Sequence, residues 1–119
     1  MAFQSAQPII NQNSSEQILQ DPMVRYLEVH PEYYAIMKSS LFIRVLESIS
    51  HKAKNIMMAK QSFPSIEAQD LLEILVMLEE IGVVSHLDAS SVRFYYTNNR
   101  GKDFLDKYRR SKQQFMGQS

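Results

Sequence analysis

Six cations stand in two groups where a polyanion could be held: Lys52, Lys54 and Lys60, then Arg93, Arg100 and Lys102. Lysine and arginine neutralise phosphates and release counterions, so these six are the candidate contacts to a duplex backbone. Ser65 and Gln69 lie between the two groups. Other chemistry assembles less well. The three histidines, His30, His51 and His86, are far apart and lack HxxxH or HxH spacing, so no metal site is expected. The absence of cysteine excludes a disulfide scaffold, Cys-ligated zinc and thiol catalysis. Glycines at 82, 101 and 117 are isolated, so no loop cradles a phosphate, and no GxSxG elbow occurs. Glu79 and Glu80 are adjacent on a helix and point apart, a poor acid–base pair. The expectation is a binding protein, without cofactor, and not an enzyme.

The 119 residues suit one domain with a tail, and 45% hydrophobic with 22% charged content suits a globular chain. Net charge is zero but uneven. Residues 1–37 hold one base and four acids, and 38–60 hold five bases and one acid. Residues 61–89 hold six acids and no base, and 90–119 hold seven bases and two acids. A uniformly basic nucleic-acid binder is excluded; a polarised one is not. No stretch approaches the ~18 apolar residues of a membrane span. Met1-Ala2-Phe3-Gln4 lacks the basic start and apolar run of a signal peptide, so the expected location is cytoplasmic.

The elements that must position these residues follow from periodicity. Residues 1–13, rich in Gln and Asn, read as a flexible tail. Ser14 with Gln17 has capping-box form, and Asp21-Pro22 restarts a helix whose Met23, Tyr26 and Leu27 share a face. His30-Pro31 punctuates it. Residues 14–37 thus form an N-terminal helical extension. From Glu32, a stripe of Tyr34, Met37, Leu41, Phe42, Val45, Leu46 and Ile49 predicts helix; Lys38-Ser39-Ser40 admits either a break or one long helix. A short helix is expected at 53–60, with Ile56, Met57 and Ala59 partly buried. Ser65 is the expected cap of a helix over 66–81. There Leu71, Ile74, Leu75, Leu78 and Ile81 are the buried stripe, widened by Leu72, Val76 and Met77. Gly82 suits a left-handed cap. Two runs of period 2, Val83–Leu87 and Val92–Thr97, flank the four-residue turn 88–91 and predict a β-hairpin. Asn98 caps a final helix carrying Phe104, Leu105 and Tyr108.

Leu78-Glu79-Glu80-Ile81-Gly82-Val83-Val84 is similar to the L-x-x-x-G-[LIV]-[LIV] run that joins recognition helix to wing in winged helix-turn-helix proteins. Tyr95-Tyr96-Thr97-Asn98-Asn99-Arg100-Gly101-Lys102-Asp103-Phe104-Leu105 resembles their strand-to-helix junction, Y-x-L-T-x-x-G-x-x-F-L, with Asn98 in place of the usual Thr cap and Thr97 in place of an apolar residue. The chain resembles small archaeal winged helix-turn-helix DNA-binding proteins and transcription regulators over roughly 38–112. The implied fold is mostly α with a small β-hairpin, a winged-helix domain over 38–116 behind extra N-terminal helices. The implied function is duplex DNA binding, transcriptional or chromosome-associated, with the 66–81 helix in the major groove, Ser65, Glu67, Ala68, Gln69 and Asp70 as its exposed early positions, Ser65 and Gln69 among the DNA contacts, and Asp88–Ser91 as the wing tip. Glu67, Asp70 and Glu73 bring negative charge to that helix, so backbone contact by the six bases carries this reading.

A second function class stays open. Winged helices also act as protein–protein modules, and an acidic recognition helix suits a basic partner. A homodimer through residues 14–37 or through the C-terminal helix fits either function. Tyr33, Tyr34, Tyr95, Tyr96 and Tyr108 admit a stacking platform, but Tyr34, Tyr96 and Tyr108 read better as core or interface aromatics. His86 is expected on a hairpin face and His51 at a helix end.

Overall fold

The structure, a computed structural model, describes residues 22–116, with side chains from 23 to 112. The expected tail at 1–13, the turn at Ser14 and the Asp21 cap lie outside the described residues. Helix α1 (Pro22–Val29) starts on proline, whose fixed φ suits a first helical position, and buries Met23, Tyr26 and Leu27 at i, i+3 and i+4. A 3₁₀ turn (Pro31–Tyr33) and a single-turn helix α2 (Tyr34–Met37) follow. Helix α3 (Ser40–His51) begins after a real break, with Ser39 extended and its Oγ accepting the Phe42 N–H at 3.3 Å.

That break and the 3₁₀ turn change which residues face inward. Tyr33 and Ile36, three apart, are buried, while Tyr34 is 46% exposed and leaves the expected stripe. Three residues per turn in the 3₁₀ segment shift the phase relative to an α-helix begun at Glu32.

Residues 53–55, expected as helix, are extended instead. Lys54 pairs with Tyr95 through both backbone bonds (2.9 and 2.8 Å), and the Asn55 side chain then caps helix α4 (Ile56–Ser62) by accepting the Met58 N–H. A long-range pairing overrides local helix preference here. Helix α5 (Ala68–Ile81) starts with Glu67 at the cap position and no side-chain cap bond, so Ser65 does not cap it. The turn explains the delay: the Ile66 N–H bonds the Phe63 carbonyl at 3.0 Å. Leu71, Ile74, Leu75 and Leu78 are buried as expected, but Val76 and Met77 face solvent, as does Met57 on α4.

Strands β1 (Val84–Ala89) and β2 (Val92–Thr97) pair antiparallel from Val84↔Thr97 to Ala89↔Val92. The turn is two residues, not four: Ser90 and Ser91 both have positive φ (53° and 66°), the signs of a type I′ hairpin turn. Helix α6 (Asn99–Met116) closes the chain, with Asn98 as its cap.

The described residues divide into two compact units, 22–31 with 107–116, and Glu32–Asp106. In the first, the Lys107 Nζ lies 5.1 Å over the Tyr26 ring, which tilts against His30. In the second, Val45, Leu46, Ile49, Leu71, Leu75, Leu78, Val83, Val84, Phe104 and Leu105 are all buried to 2% exposure or less. Phe104 packs edge-on against Tyr33 at 5.6 Å. Thr97, the departure from the apolar strand residue of the motif, is buried and donates from Oγ1 to the Leu46 carbonyl at 2.7 Å. A buried hydroxyl is tolerated because it is satisfied.

Gly101 provides a test of this packing. A Cβ there would lie 2.3 Å from the Val83 carbonyl oxygen and 2.5 Å from Thr97 Cγ2. Glycine to alanine in a helix ordinarily gains up to about 1 kcal/mol; overpacking a buried contact costs about 1–3 kcal/mol. Gly101→Ala is therefore expected to lower the urea or thermal midpoint, and an increase would mean this contact is looser in solution.

Candidate nucleic-acid interface

Helix α4, the turn 63–67 and helix α5 form the helix-turn-helix, and the β1–β2 hairpin stands beside α5 as the wing. Lys60 belongs to the turn itself, its Nζ donating to the Pro64 carbonyl at 2.8 Å and the Ile66 carbonyl at 2.6 Å. Turn carbonyls have no ladder partner, so an ammonium that reaches two of them fixes the angle between α4 and α5. Lys54 is also held inside the fold, donating to Ser48 Oγ at 2.6 Å and Ser62 Oγ at 2.8 Å.

Arg93 and Arg100 serve similar ends. Arg93 grips Asp88 across the wing, Nε to Oδ1 at 2.9 Å and a second bond at 3.2 Å. Arg100 donates to the Tyr33 hydroxyl at 3.1 Å and to Glu32 at 3.4 Å, its guanidinium 5.8 Å from the Tyr33 ring centre. Lys52, just after α3, and Lys102, in the first turn of α6, are exposed, as is Ser65 in the turn. Gln69 is exposed on α5 and donates to Glu73 at 3.4 Å.

The eight residues therefore divide by circumstance. The extended link 52–55 and the bridge to β2 tie Lys52 and Lys54 to the wing strand that carries Arg93. Ser65 and Gln69 lie at the start of α5, and Arg100 and Lys102 at the start of α6. Each ammonium has three protons, so Lys54 and Lys60 each keep one donor beyond two internal bonds. The exposed side of α5 holds Gln69, Asp70, Glu73, Val76, Met77 and Glu80 and no base. His86 lies between α5 and the wing: its Nδ1 is 2.5 Å from Glu79 Oε2, and its ring meets Tyr95 edge-on. His51 ends α3.

Sequence reasoning missed a groove of about 380 Å³ where the start of α4, Leu72 of α5 and the first half of β2 converge. Its signal was present as a surplus of apolar residues on α4 and α5, more than one buried stripe accommodates. Among the described residues, no group of three His, Cys, Asp or Glu is placed to hold a metal ion, and no helix is long and apolar enough to cross a membrane.

Solved structures share this architecture. The transcriptional regulator BldR from Sulfolobus solfataricus aligns with a TM-score of 0.55 at 12% identity, over 97% of this chain and 88% of its own. The heme sensor protein PefR in complex with heme and carbon monoxide aligns at 0.57 and 14% identity, over 91% and 75%. PefR from Streptococcus agalactiae in complex with heme aligns at 0.50 and 14% identity, over 93% and 77%. No protein-family model matches the sequence, and no curated protein matches it. At these identities the likeness is one of fold: winged helix-turn-helix, mostly helical with a two-stranded hairpin.

The wing clamp has a pH signature. The hydrogen bond from Arg93 holds the Asp88 carboxyl below its ordinary value of 3.8, and Asp88 raises Arg93 in turn. A depressed carboxyl stabilises the clamp above the ordinary value and loses that contribution as pH falls through the depressed one. Carboxyl NMR titration should place the Asp88 midpoint below 3.8, and Arg93→Ala should move it up. Equal midpoints in the two proteins would mean the clamp does not form in solution.

Proposed function

We propose that this chain is a DNA-binding winged-helix regulator that holds duplex DNA mainly through its phosphates and catalyses no reaction. The observation that carries this reading is the architecture: a helix-turn-helix whose second helix opens to solvent beside a two-stranded wing, an arrangement shared with a known transcriptional regulator. Lys52, Lys102 and the Asp88-oriented Arg93 are the principal phosphate contacts. Lys54 and Lys60 contribute their remaining donors, Arg100 flanks them, and Ser65 and Gln69 supply neutral hydrogen bonds. Self-association through 14–37 or the C-terminal helix would present two such surfaces to two half-sites.

A second reading has one observation in its favour. No base occurs from 61 to 89, and α5 exposes Asp70, Glu73 and Glu80. A like-charge pair at ~4 Å repels by roughly 4 kcal/mol at the effective dielectric of a protein surface, so each acid near phosphate needs a base to offset it. This suits a protein-interaction module whose acidic helix contacts a basic partner.

Fluorescence anisotropy with a random duplex of about 30 base pairs, titrated from roughly 50 to 200 mM salt, tests the first reading. Three phosphate contacts give a log–log slope near −3, and Lys52→Glu with Lys102→Glu should remove about two units of it along with most of the affinity. Unchanged affinity and slope would take both lysines out of the interface. In the same assay, Glu67→Lys with Asp70→Lys should tighten duplex binding if α5 faces the groove; no change would turn that helix away from DNA.

A further inference from the structure

We infer that the groove between α4, α5 and the wing is a docking site for an apolar side chain carried on a Lys/Arg-rich segment of another protein. The inference rests on the second reading above, that α5 meets a basic partner, and adds the place where that partner is anchored. The apolar walls of the groove are Ile56, Met57, Leu72, Val92 and Tyr95, and Asn55, Ser91 and Arg93 complete its lining. Met57 is 74% exposed and Val92 40%, so these large side chains line a cleft without being covered. Val76, 41% exposed, stands one turn beyond Leu72 on the same side of α5 and extends the apolar strip out of the groove. Contiguous exposed apolar surface rimmed by polar residues marks an interaction site more often than scattered single residues do.

The charge around the groove selects the occupant. Glu73 and Glu80, two turns apart, share the exposed face of α5 beside Val76. The one charged residue in the lining, Arg93, is paired with Asp88 at 2.9 Å. A duplex brought against the exposed face of α5 meets like charge. A segment with an apolar anchor between lysines or arginines meets opposite charge and loses apolar surface from water in the same step. Arg93 also belongs to the proposed duplex contacts, so a docked segment and a duplex exclude each other.

Selection from a displayed library of short random peptides against the full chain tests this. Enriched peptides should carry a large apolar residue flanked by Lys or Arg. Met57→Ser should weaken a selected peptide about tenfold, and Glu73→Lys with Glu80→Lys should do at least as much. All three positions are exposed or at the rim, and circular dichroism with a melting curve establishes that the variants fold. If charge reversal weakens binding and Met57→Ser does not, the basic-partner reading stands and the groove is overturned. Weakening by Met57→Ser alone would overturn the basic partner. No enrichment, or enrichment of acidic peptides, would overturn both. A random duplex that binds the wild-type chain and loses about tenfold on Met57→Ser would put nucleic acid in the groove instead.

Discussion

One asparagine holds together the parts that make this chain a winged helix. The Asn98 side chain donates to the Gly82 carbonyl at 3.1 Å and to Ser85 Oγ at 3.0 Å, and accepts the Gly101 N–H at 3.0 Å. Its backbone N–H reaches the Val83 carbonyl at 3.2 Å. The end of α5, the start of β1, the end of β2 and the start of α6 therefore meet at a single residue. Gly82 makes the meeting geometrically open to the chain: with φ at 103° it turns the helix into the strand, and its N–H closes onto Leu78 and Glu79. Arg100 fills the space beside it, its guanidinium 2.7 Å from where a Cβ would lie. Gly101 completes the junction by letting α6 approach the Val83 carbonyl.

The same economy of contacts governs the charges. Buried or half-buried carbonyls and hydroxyls left without partners cost about 1–3 kcal/mol each. Lys54, Lys60 and Arg100 meet that need at the α3–α4 link, the helix-turn-helix turn and the Tyr33 hydroxyl. Arg93 pairs with the exposed Asp88 carboxylate on the wing, and Arg44 lies 5.4 Å over the Phe63 ring. Bases that look available along the sequence are thus partly committed to shaping the surface.

On the readings proposed above, the acids of α5 repel a polyanion, its apolar border favours a basic segment with a side chain to bury, and the two would compete for Arg93.

Much of the frame was legible in the residues. The i, i+3, i+4 stripe of α5, the left-handed position at Gly82, the hairpin and the Asn98 cap are local properties, set by side-chain shape, backbone freedom and hydrogen bonding within a few positions. Errors fell where distant segments meet. Residues 53–55 are extended because Tyr95, some forty positions on, supplies their backbone partners. Tyr33 displaces Tyr34 because Phe104 and Arg100 receive it. The sequence by itself determined the elements, their order and the distribution of charge, because those depend on neighbours along the chain. Only the tertiary structure decided which bases are engaged, which apolar residues remain exposed and where the groove opens, because those depend on neighbours in space.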